Sequence, residues 1–286
     1  VEYREKRLEV TAARGSEEGV DNFSLAGEIG IGNRGRSLHP AACAAGELPC
    51  RGRGAPHDGS DLVERHGEHI VQAFEAGKHV ICTKPLVNSL EDAQRVLAAG
   101  RRTGRKLLVG QSTRFFESFR RQRRAFERGD VGDVELVDAH YIHRMDWFYD
   151  KSAWASDTTD WVFLGMSHAI DLVRWYLGPI RDVQAFGTRS RLAQRYGVRS
   201  FDIYTANYRA YDGRLGRAMG HYGLHELPSA RNAIELVLYG TEGTSMAQYH
   251  DMRYLYTGAD GTEVKADMLY AWRAYYFNNE VHGMHY

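Results

Sequence analysis

The chain has 286 residues, which is enough for one large or two ordinary domains with a sizeable core. Its 37 basic and 37 acidic residues cancel, so no overall field favours nucleic acid or an anionic membrane. No apolar run approaches the roughly 18 residues of a membrane span, and the first residues, VEYREKRLEV, lack the apolar stretch of a signal peptide. We therefore expect a cytoplasmic protein without nucleic-acid or membrane partners.

Neither the cysteines nor the histidines suggest a metal site. Cys43, Cys50 and Cys82 match no metal-ligand or disulfide spacing. His221 and His225 are four residues apart, as two ligands on a helix would be, but HYGLHELP is typical of strand and turn. No carboxylate or cysteine cluster completes a site, so we expect no metal.

Two stretches lack a regular pattern. Residues 1–27 are charged and weakly periodic, and residues 44–66 are rich in Gly, Arg and Pro without alternation. We expect both to be poorly ordered.

From residue 66 a helix–strand pattern repeats. GEHIVQAFEAG is a helix that stops at Gly77, and KHVICTKP is a short buried strand ended by Pro85. SLEDAQRVLAAGRRTG is a helix with Ser89 as N-cap and Gly104 at its end, and KLLVGQ is a second buried strand. This alternation predicts βαβ units and a parallel sheet.

The second half of the chain follows a different pattern. DVELVDAHYIHR alternates like a strand, and MSHAIDLVRWYLG is a helix closed by Gly178-Pro179. Further strands are separated by turn signals at Asp212-Gly213, at 240–243 and at Asp260-Gly261. We therefore predict an α/β half followed by an α+β half with a mostly antiparallel sheet.

Three glycines in EIGIGNRGRS have the spacing of a dinucleotide-binding loop: Gly30, Gly32 and Gly35. In such a loop the glycines allow a tight turn, a close backbone approach to pyrophosphate and close packing of the next helix. The helix N-terminus adds N–H donors for phosphate. Taken alone, the motif fits an ordinary glycine-rich loop equally well.

Two side chains are candidates for chemistry. Lys84 follows a predicted strand, and ligands of open α/β sheets bind outside the carboxyl ends of the strands. The alternative is a surface lysine before a turn proline. His168 lies at a predicted helix entrance with Asp171 one turn later, and it is either a general base or a structural cap.

Together, EAGKHVICTKPL, LLVGQSTRF and GMSHAIDLVRWYLG resemble, in order and spacing, the Gfo/Idh/MocA family of NAD(P)-dependent oxidoreductases. The resemblance covers residues 66–245 and, less closely, 28–43. It implies a poorly ordered leader at 1–27 and a Rossmann-type dinucleotide-binding domain at 28–115 with an incomplete parallel sheet. Residues 116–286 would form an α+β domain for substrate binding and oligomerisation, with a large open, mostly antiparallel sheet.

The resemblance also implies site residues. Lys84 and His168 would be catalytic and lie within roughly 10 Å of each other in one cleft. His168 would take the hydroxyl proton while the Lys84 ammonium stabilises developing negative charge. The cofactor would contact Gly30, Ile31, Gly32, Asn33, Gly35, Lys84 and Pro85. The substrate would contact Lys84, Arg114, His168 and Asp171.

The implied activity is hydride transfer between NAD or NADP and a sugar, an inositol-like polyol or a related hydroxy compound, in a homo-oligomer formed through the open sheet. One alternative is an NAD-dependent glycoside hydrolase of the same family. Another is a non-catalytic ligand-binding or regulatory relative, or a defective one.

The sequence departs from the family pattern at three places. Thr83 stands where the family usually has Glu, and Leu164 stands where many members have Asp. The stretch between Gly30 and Lys84 is too short for the second and third strands of the nucleotide half, as a deletion or a frameshift would make it. Because the ribose-binding residue belongs to that stretch, we predict weak binding of NAD(P) with little discrimination between the two cofactors.

Overall fold

The computed structural model describes residues 64–152, 155–225 and 232–267. The predicted leader at 1–27, the glycine loop at 30–35 and residues 44–63 lie outside the described residues. Among the described residues, no helix is both long enough and apolar enough to cross a bilayer.

The first described part is a small parallel sheet with two helices. Helix α1 (His66–Glu75) leads into β1 (Val80–Thr83), and α2 (Leu90–Thr103) leads into β2 (Leu107–Gly110). The Ser89 side chain caps α2 by accepting a hydrogen bond from the Asp92 amide. Strands β1 and β2 pair in parallel, which confirms the predicted βαβ unit.

The two helices cover one face of this sheet. Their core consists of Ile70, Phe74, Cys82, Val87, Val96 and Ala99. On the opposite face, Ile81 is 63% exposed and Leu108 is 49% exposed. The prediction that both strands are buried is therefore wrong for that face, because α1 and α2 pack together on the Cys82 side.

Helices and helical turns follow the small sheet along the chain, both before the second sheet begins and between its strands. A 3₁₀ turn (Ser112–Phe115) precedes α3 (Glu117–Glu127), and a π-helical turn (Val162–Met166) runs directly into α6 (Ser167–Leu177). The remaining short helices are α4 (Asp146–Lys151), α5 (Ala155–Thr158) and α7 (Arg191–Arg195).

The second part is built on a large sheet. Its strands are β3 (Val134–Ile142), β4 (Ile180–Thr188), β5 (Ile203–Ala210), β6 (Leu215–His221), β7 (Ala233–Gly240), β8 (Gly243–Gln248), β9 (Arg253–Gly258) and β10 (Glu263–Asp267). Among the described residues they pair in the order β10-β9-β8-β7-β3-β6-β5-β4. All pairs are antiparallel except β3 with β6, so the predicted mostly antiparallel sheet is confirmed.

Helices α3 and α6 cover one face of the large sheet. Helix α6 lies so close to β6 that a Cβ at Gly216 would be 2.7 Å from both Val173 and Leu177. On α3, the fully buried Gln122 donates to the carbonyls of Leu236 and Ser245. This packing holds both helices against the sheet, and the N-terminal end of α6 carries His168.

The other face of the large sheet is open. Leu136, Leu215 and Tyr239 on this face are 37%, 49% and 41% exposed. Between them, Arg217 pairs with Asp138 on the neighbouring strand, and its Nε lies 2.9 Å from Oδ1 of that carboxylate. This open face matches the open sheet that the family resemblance implies.

Candidate active site

Lys84 lies at the carboxyl end of β1. It follows Thr83, the last residue of the strand, and its peptide bond to Pro85 is cis. His66, the first residue of α1, holds this turn: its Nδ1 donates a hydrogen bond of 2.7 Å to the Pro85 carbonyl. Burial of the ammonium lowers the pKa of Lys84 to about 8, so proton exchange by this group falls within reach of neutral pH.

His168 is the second residue of α6 and is only 1% exposed. Its Nδ1 lies 3.0 Å from Oγ1 of Thr113, which belongs to the 3₁₀ turn after β2. The edge of its ring packs at 86° against Tyr141 of β3, with ring centroids 5.2 Å apart. Three separate segments therefore fix the orientation of the imidazole.

The two predicted catalytic residues are electrostatically coupled. Burial lowers the pKa of His168 well below its ordinary value, and the positive charge of Lys84 lowers that pKa further. Coulomb interactions of this kind require that the ammonium and the imidazole lie near each other. This coupling supports a shared site for Lys84 and His168, and their catalytic roles stay predictions.

The π-helical turn before α6 depends on a glycine. A Cβ at Gly165 would lie 2.2 Å from the Tyr222 ring, which is fully buried and stacks on Trp161 at 4.3 Å. Only glycine allows the turn to approach the Tyr222 ring so closely. Single π-helical turns often occur at functional sites, and this one ends two residues before His168.

Arg114 and Asp171 form a clamp beside His168. Arg114 donates two hydrogen bonds of 2.6 Å to the Asp171 carboxylate, and its guanidinium lies 5.1 Å from the centre of the Trp175 ring. The clamp ties the 3₁₀ turn to α6, and thereby holds Thr113 against His168. The sequence placed Arg114 and Asp171 in the substrate site as separate contacts. In the structure each neutralises the other, and substrate contact by either residue stays a prediction.

We expect this clamp to contribute measurably to the free energy of unfolding. A double-mutant cycle of Arg114→Met and Asp171→Asn should give a coupling energy of about 2 kcal/mol, because the pair is bidentate and partly buried. Arg120 and Glu117 on α3 form a more exposed pair of 3.7 Å and serve as the control, with about 0.3 kcal/mol expected. Denaturant unfolding measures both energies, and equal values would contradict the structural role of the clamp.

Several side chains of this site were not predicted from the sequence. Thr113 and His66 contact the predicted residues, and Tyr141 continues outward to His143, whose ring is 6.2 Å away. Next to His143 lies Trp147, which is 43% exposed. The signal that could have revealed this wall of rings is AHYIHRMDW, where polar aromatic residues lie in the last part of a strand and directly after it.

In the described part of the chain, the candidate site lies at the end of a strand and contains no metal centre. Among them, no three metal-ligating side chains lie close enough together to hold an ion. Lys84 and Pro85 occupy the strand-end position at which open α/β sheets hold their ligands, and contact of either residue with a cofactor stays a prediction. The predicted phosphate contacts of Gly30, Ile31, Gly32, Asn33 and Gly35 lie outside the described residues.

Two family profiles match the chain. One is described as an oxidoreductase family with an NAD-binding Rossmann fold and matches residues 56–111. The other is the GFO/IDH/MocA C-terminal domain and matches residues 119–245. The first match begins at residue 56, so residues 56–65, which sequence reasoning set aside as aperiodic, belong to the family segment. Neither match includes the glycine loop at 30–35.

Relatives and solved structures agree with these matches. The chain is 34% identical over 116 residues to inositol 2-dehydrogenase 3 of Saccharopolyspora erythraea, covering 39% of this chain and 32% of the relative. It is 31% identical over 147 residues to 1-carboxy-3-chloro-3,4-dihydroxycyclohexa-1,5-diene dehydrogenase of Comamonas testosteroni, covering 50% and 35%. The aligned segments thus span about a third of the length of these relatives.

Solved structures show the same fold. A putative oxidoreductase from Thermotoga maritima superposes with a TM-score of 0.62 at 17% identity, covering 76% of this chain and 68% of the other. Levoglucosan dehydrogenase in complex with NADH and L-sorbose gives 0.59 at 22% identity, covering 72% and 59%.

This is an α/β chain of the dinucleotide-binding type, defined by the small parallel sheet, the open mixed sheet and the lysine at the end of β1. The two profiles together match more than half of the 286 residues. The chain belongs to the Gfo/Idh/MocA oxidoreductase family.

Proposed function

We propose that the protein is an NAD- or NADP-dependent dehydrogenase that acts on a secondary hydroxyl group. The observation that carries this proposal is the position of Lys84 directly after the carboxyl end of β1, together with the buried His168 imidazole at the start of α6, whose pKa the charge of Lys84 lowers. A dehydrogenation of this kind needs one group that accepts the hydroxyl proton and one that polarises the same oxygen. Lys84 and His168 supply both groups.

The cofactor provides the hydride acceptor when it is bound. The residues of this chain orient the substrate hydroxyl and handle its proton. Burial of His168 and of the Lys84 ammonium keeps bulk water away from the two groups, which strengthens their interaction with a substrate oxygen.

The substrate class is proposed to be a sugar or an inositol-like polyol. The relative from Saccharopolyspora erythraea is named inositol 2-dehydrogenase, and levoglucosan dehydrogenase was solved with L-sorbose. The wall of rings from Tyr141 through His143 to Trp147 suits such a substrate, because aromatic faces can pack against its C–H groups while polar ring atoms bond its hydroxyls.

The test combines turnover with cofactor binding. The chain is incubated with NAD⁺ or NADP⁺ and a panel of inositols and monosaccharides, and formation of NADH or NADPH is followed by absorbance. His168→Gln, which retains a polar side chain of similar reach, should abolish turnover. Release of reducing sugar from a glycoside without net NADH would instead show the hydrolase alternative, and absence of any cofactor binding would show a non-catalytic relative.

Calorimetric titration of both cofactors tests the prediction about the nucleotide half. We expect weak binding with little discrimination between NAD and NADP. A preference of tenfold or more, which is about 1.4 kcal/mol, would show that a working ribose site exists outside the described residues.

We further propose that a second copy of the chain covers the open face of the large sheet. Apolar side chains of three neighbouring strands surround a charge cluster that is internally neutralised: Asp138 accepts from Arg217 and from His140 at 3.1 Å. Burial raises the pKa of Asp138, but these bonds outweigh burial and hold the pKa below its ordinary value. Pairing within this cluster lowers the electrostatic cost of burying it against an identical face.

Introducing unpaired negative charge into the apolar part of this face should therefore dissociate the oligomer. We expect Leu136→Glu combined with Leu215→Glu to convert the protein to monomers, because two carboxylates would be desolvated in each subunit. Leu97→Glu is the control, since Leu97 is 60% exposed but lies on α2 rather than on the sheet. Light scattering after size exclusion measures the mass, and a monomeric wild type would contradict the proposal.

A further inference from the structure

The bond between Thr113 and His168 can be assigned a direction. Thr113 is 1% exposed, and among the described residues its hydroxyl makes a single side-chain hydrogen bond, the one to Nδ1 of His168. If the imidazole donated from Nδ1, the hydroxyl proton of Thr113 would be buried without an acceptor in that part of the chain. A buried donor without an acceptor costs free energy. A hydroxyl group that donates its proton leaves only the lone pairs of its oxygen unused, which costs less.

We propose that Thr113 is a positioning residue that donates its hydroxyl proton to Nδ1 of His168 and so keeps the ring proton on Nε2. The neutral imidazole then presents an N–H at Nε2. Tyr141 packs its ring against the side of the imidazole, and the clamp of Arg114 and Asp171 holds the 3₁₀ turn that carries Thr113. These contacts restrict both the position of the hydroxyl and the rotation of the ring.

The direction of this bond decides which side chain donates a hydrogen bond to the substrate oxygen and which one accepts the proton. This assignment of roles rests on the proposed dehydrogenase function. This assignment reverses the roles that the family resemblance implies: an imidazole with its proton on Nε2 and its Nδ1 occupied would donate a hydrogen bond to the substrate oxygen and would not take a proton from it. Lys84 would then receive the hydroxyl proton on its neutral amine, and the cofactor would supply the hydride acceptor when bound. The lowered pKa values of both groups agree with this assignment, because they favour a neutral imidazole and an amine that can lose its proton.

The electrostatic surroundings of the ring are consistent with a neutral imidazole. The positive charge of Lys84 lies near it, and Arg114 and Asp171 neutralise each other on the adjoining turn and helix. Tyr141 faces the ring from β3. The hydrogen-bond partner that the structure shows at Nδ1 is a neutral hydroxyl, which stabilises an imidazolium less than a carboxylate would.

Nitrogen NMR of the full chain tests the assignment without any cofactor or substrate. Histidine is labelled with ¹⁵N, long-range ¹H–¹⁵N correlations identify the tautomer of each ring, and the His168→Gln variant identifies the signals of His168. We expect a proton on Nε2 and an acceptor nitrogen at Nδ1 in the wild type and in Thr113→Ser. In the isosteric Thr113→Val, the Nδ1 signal should move toward that of an unbonded nitrogen, with a mixture of tautomers.

Two results would overturn the proposal: a wild-type spectrum with the proton on Nδ1, or a Thr113→Val spectrum with an unchanged Nδ1. If Thr113→Val does not fold, the wild-type and Thr113→Ser spectra still decide the tautomer. In the turnover assay, Thr113→Ser should stay within threefold of the wild type and Thr113→Val should fall by about tenfold. A chain without dehydrogenase activity but with the Nε2 tautomer would contradict the proposed function and leave the positioning role of Thr113 intact.

Discussion

Replacing Lys84 by methionine should abolish turnover and at the same time stabilise the fold. We expect kcat/KM to fall by about 10³-fold, the size of effect that follows loss of an acid–base or charge-stabilising group. Lys84→Arg is the matched control: it keeps a positive charge but cannot release a proton at neutral pH. Because we propose that Lys84 accepts the proton, Lys84→Arg should be as inactive as Lys84→Met, and substantial activity of Lys84→Arg would show that the ammonium acts only by its charge.

The stability change follows from the pKa of Lys84. Lowering that pKa from 10.5 to about 8 corresponds to roughly 3 kcal/mol of unfavourable burial whenever the group is charged. Below pH 8 both the folded and the unfolded chain carry the proton, so the full cost is present. Between pH 8 and 10.5 the unfolded chain binds more protons than the folded one, so the free energy of unfolding of the wild type rises with pH.

Lys84→Met should therefore be more stable than the wild type by about 3 kcal/mol at pH 7, with a difference that shrinks above pH 8. Denaturant unfolding at pH 7 and near pH 9.5 measures the two values. Removal of the positive charge should also raise the pKa of His168, since Lys84 lowers it. Equal stability of the two proteins at pH 7 would show that the ammonium is not buried.

Among additions of one methyl group in the described part of the active site, Gly165→Ala should lower the free energy of unfolding the most. The added Cβ would meet the Tyr222 ring at 2.2 Å, and that ring is fully buried between Trp161 and Tyr141. Neither the ring nor the helical turn can move without repacking its neighbours. We expect the free energy of unfolding to fall by about 3 kcal/mol or more.

Gly100→Ala provides the control for this substitution. Gly100 lies within α2, and a Cβ there would make an ordinary contact of 3.4 Å with Phe74. Because alanine favours a helix over glycine, we expect Gly100→Ala to be neutral or stabilising by up to about 1 kcal/mol. Thermal unfolding of both variants compares them directly, and a Gly165→Ala protein as stable as Gly100→Ala would mean that Tyr222 does not pack against the turn.

The sequence predicted elements whose signals are local. Ser89 and Gly104 mark the ends of α2, and Asp212-Gly213 marks the turn between β5 and β6, because capping and turn chemistry depends on a few adjacent residues. The positions of Lys84 and His168 at the ends of a strand and a helix were predictable for the same reason. These signals also carried the family resemblance.

Long-range contacts could not be predicted in this way. Thr113 meets His168, and Arg114 meets Asp171, across more than fifty residues, and no local periodicity encodes such pairs. Likewise, VICT and LLVG were predicted to be buried strands, but one face of each is exposed, since the sequence does not show which face a helix will cover. The parallel pairing of β3 with β6 depends on the topology of the whole sheet rather than on either strand.

The position of β3 has a consequence for how the protein is made on the ribosome. Strand β3 is the first strand of the large sheet to leave the exit tunnel, yet its two hydrogen-bonding partners, β6 and β7, are synthesised much later. Val137, for example, gains its strand partners only after Gly216 on one side and Leu238 on the other have been synthesised. Until then an apolar strand with two unpaired edges is available to chaperones and to other nascent chains, so this half of the protein completes its fold only after synthesis has passed β7.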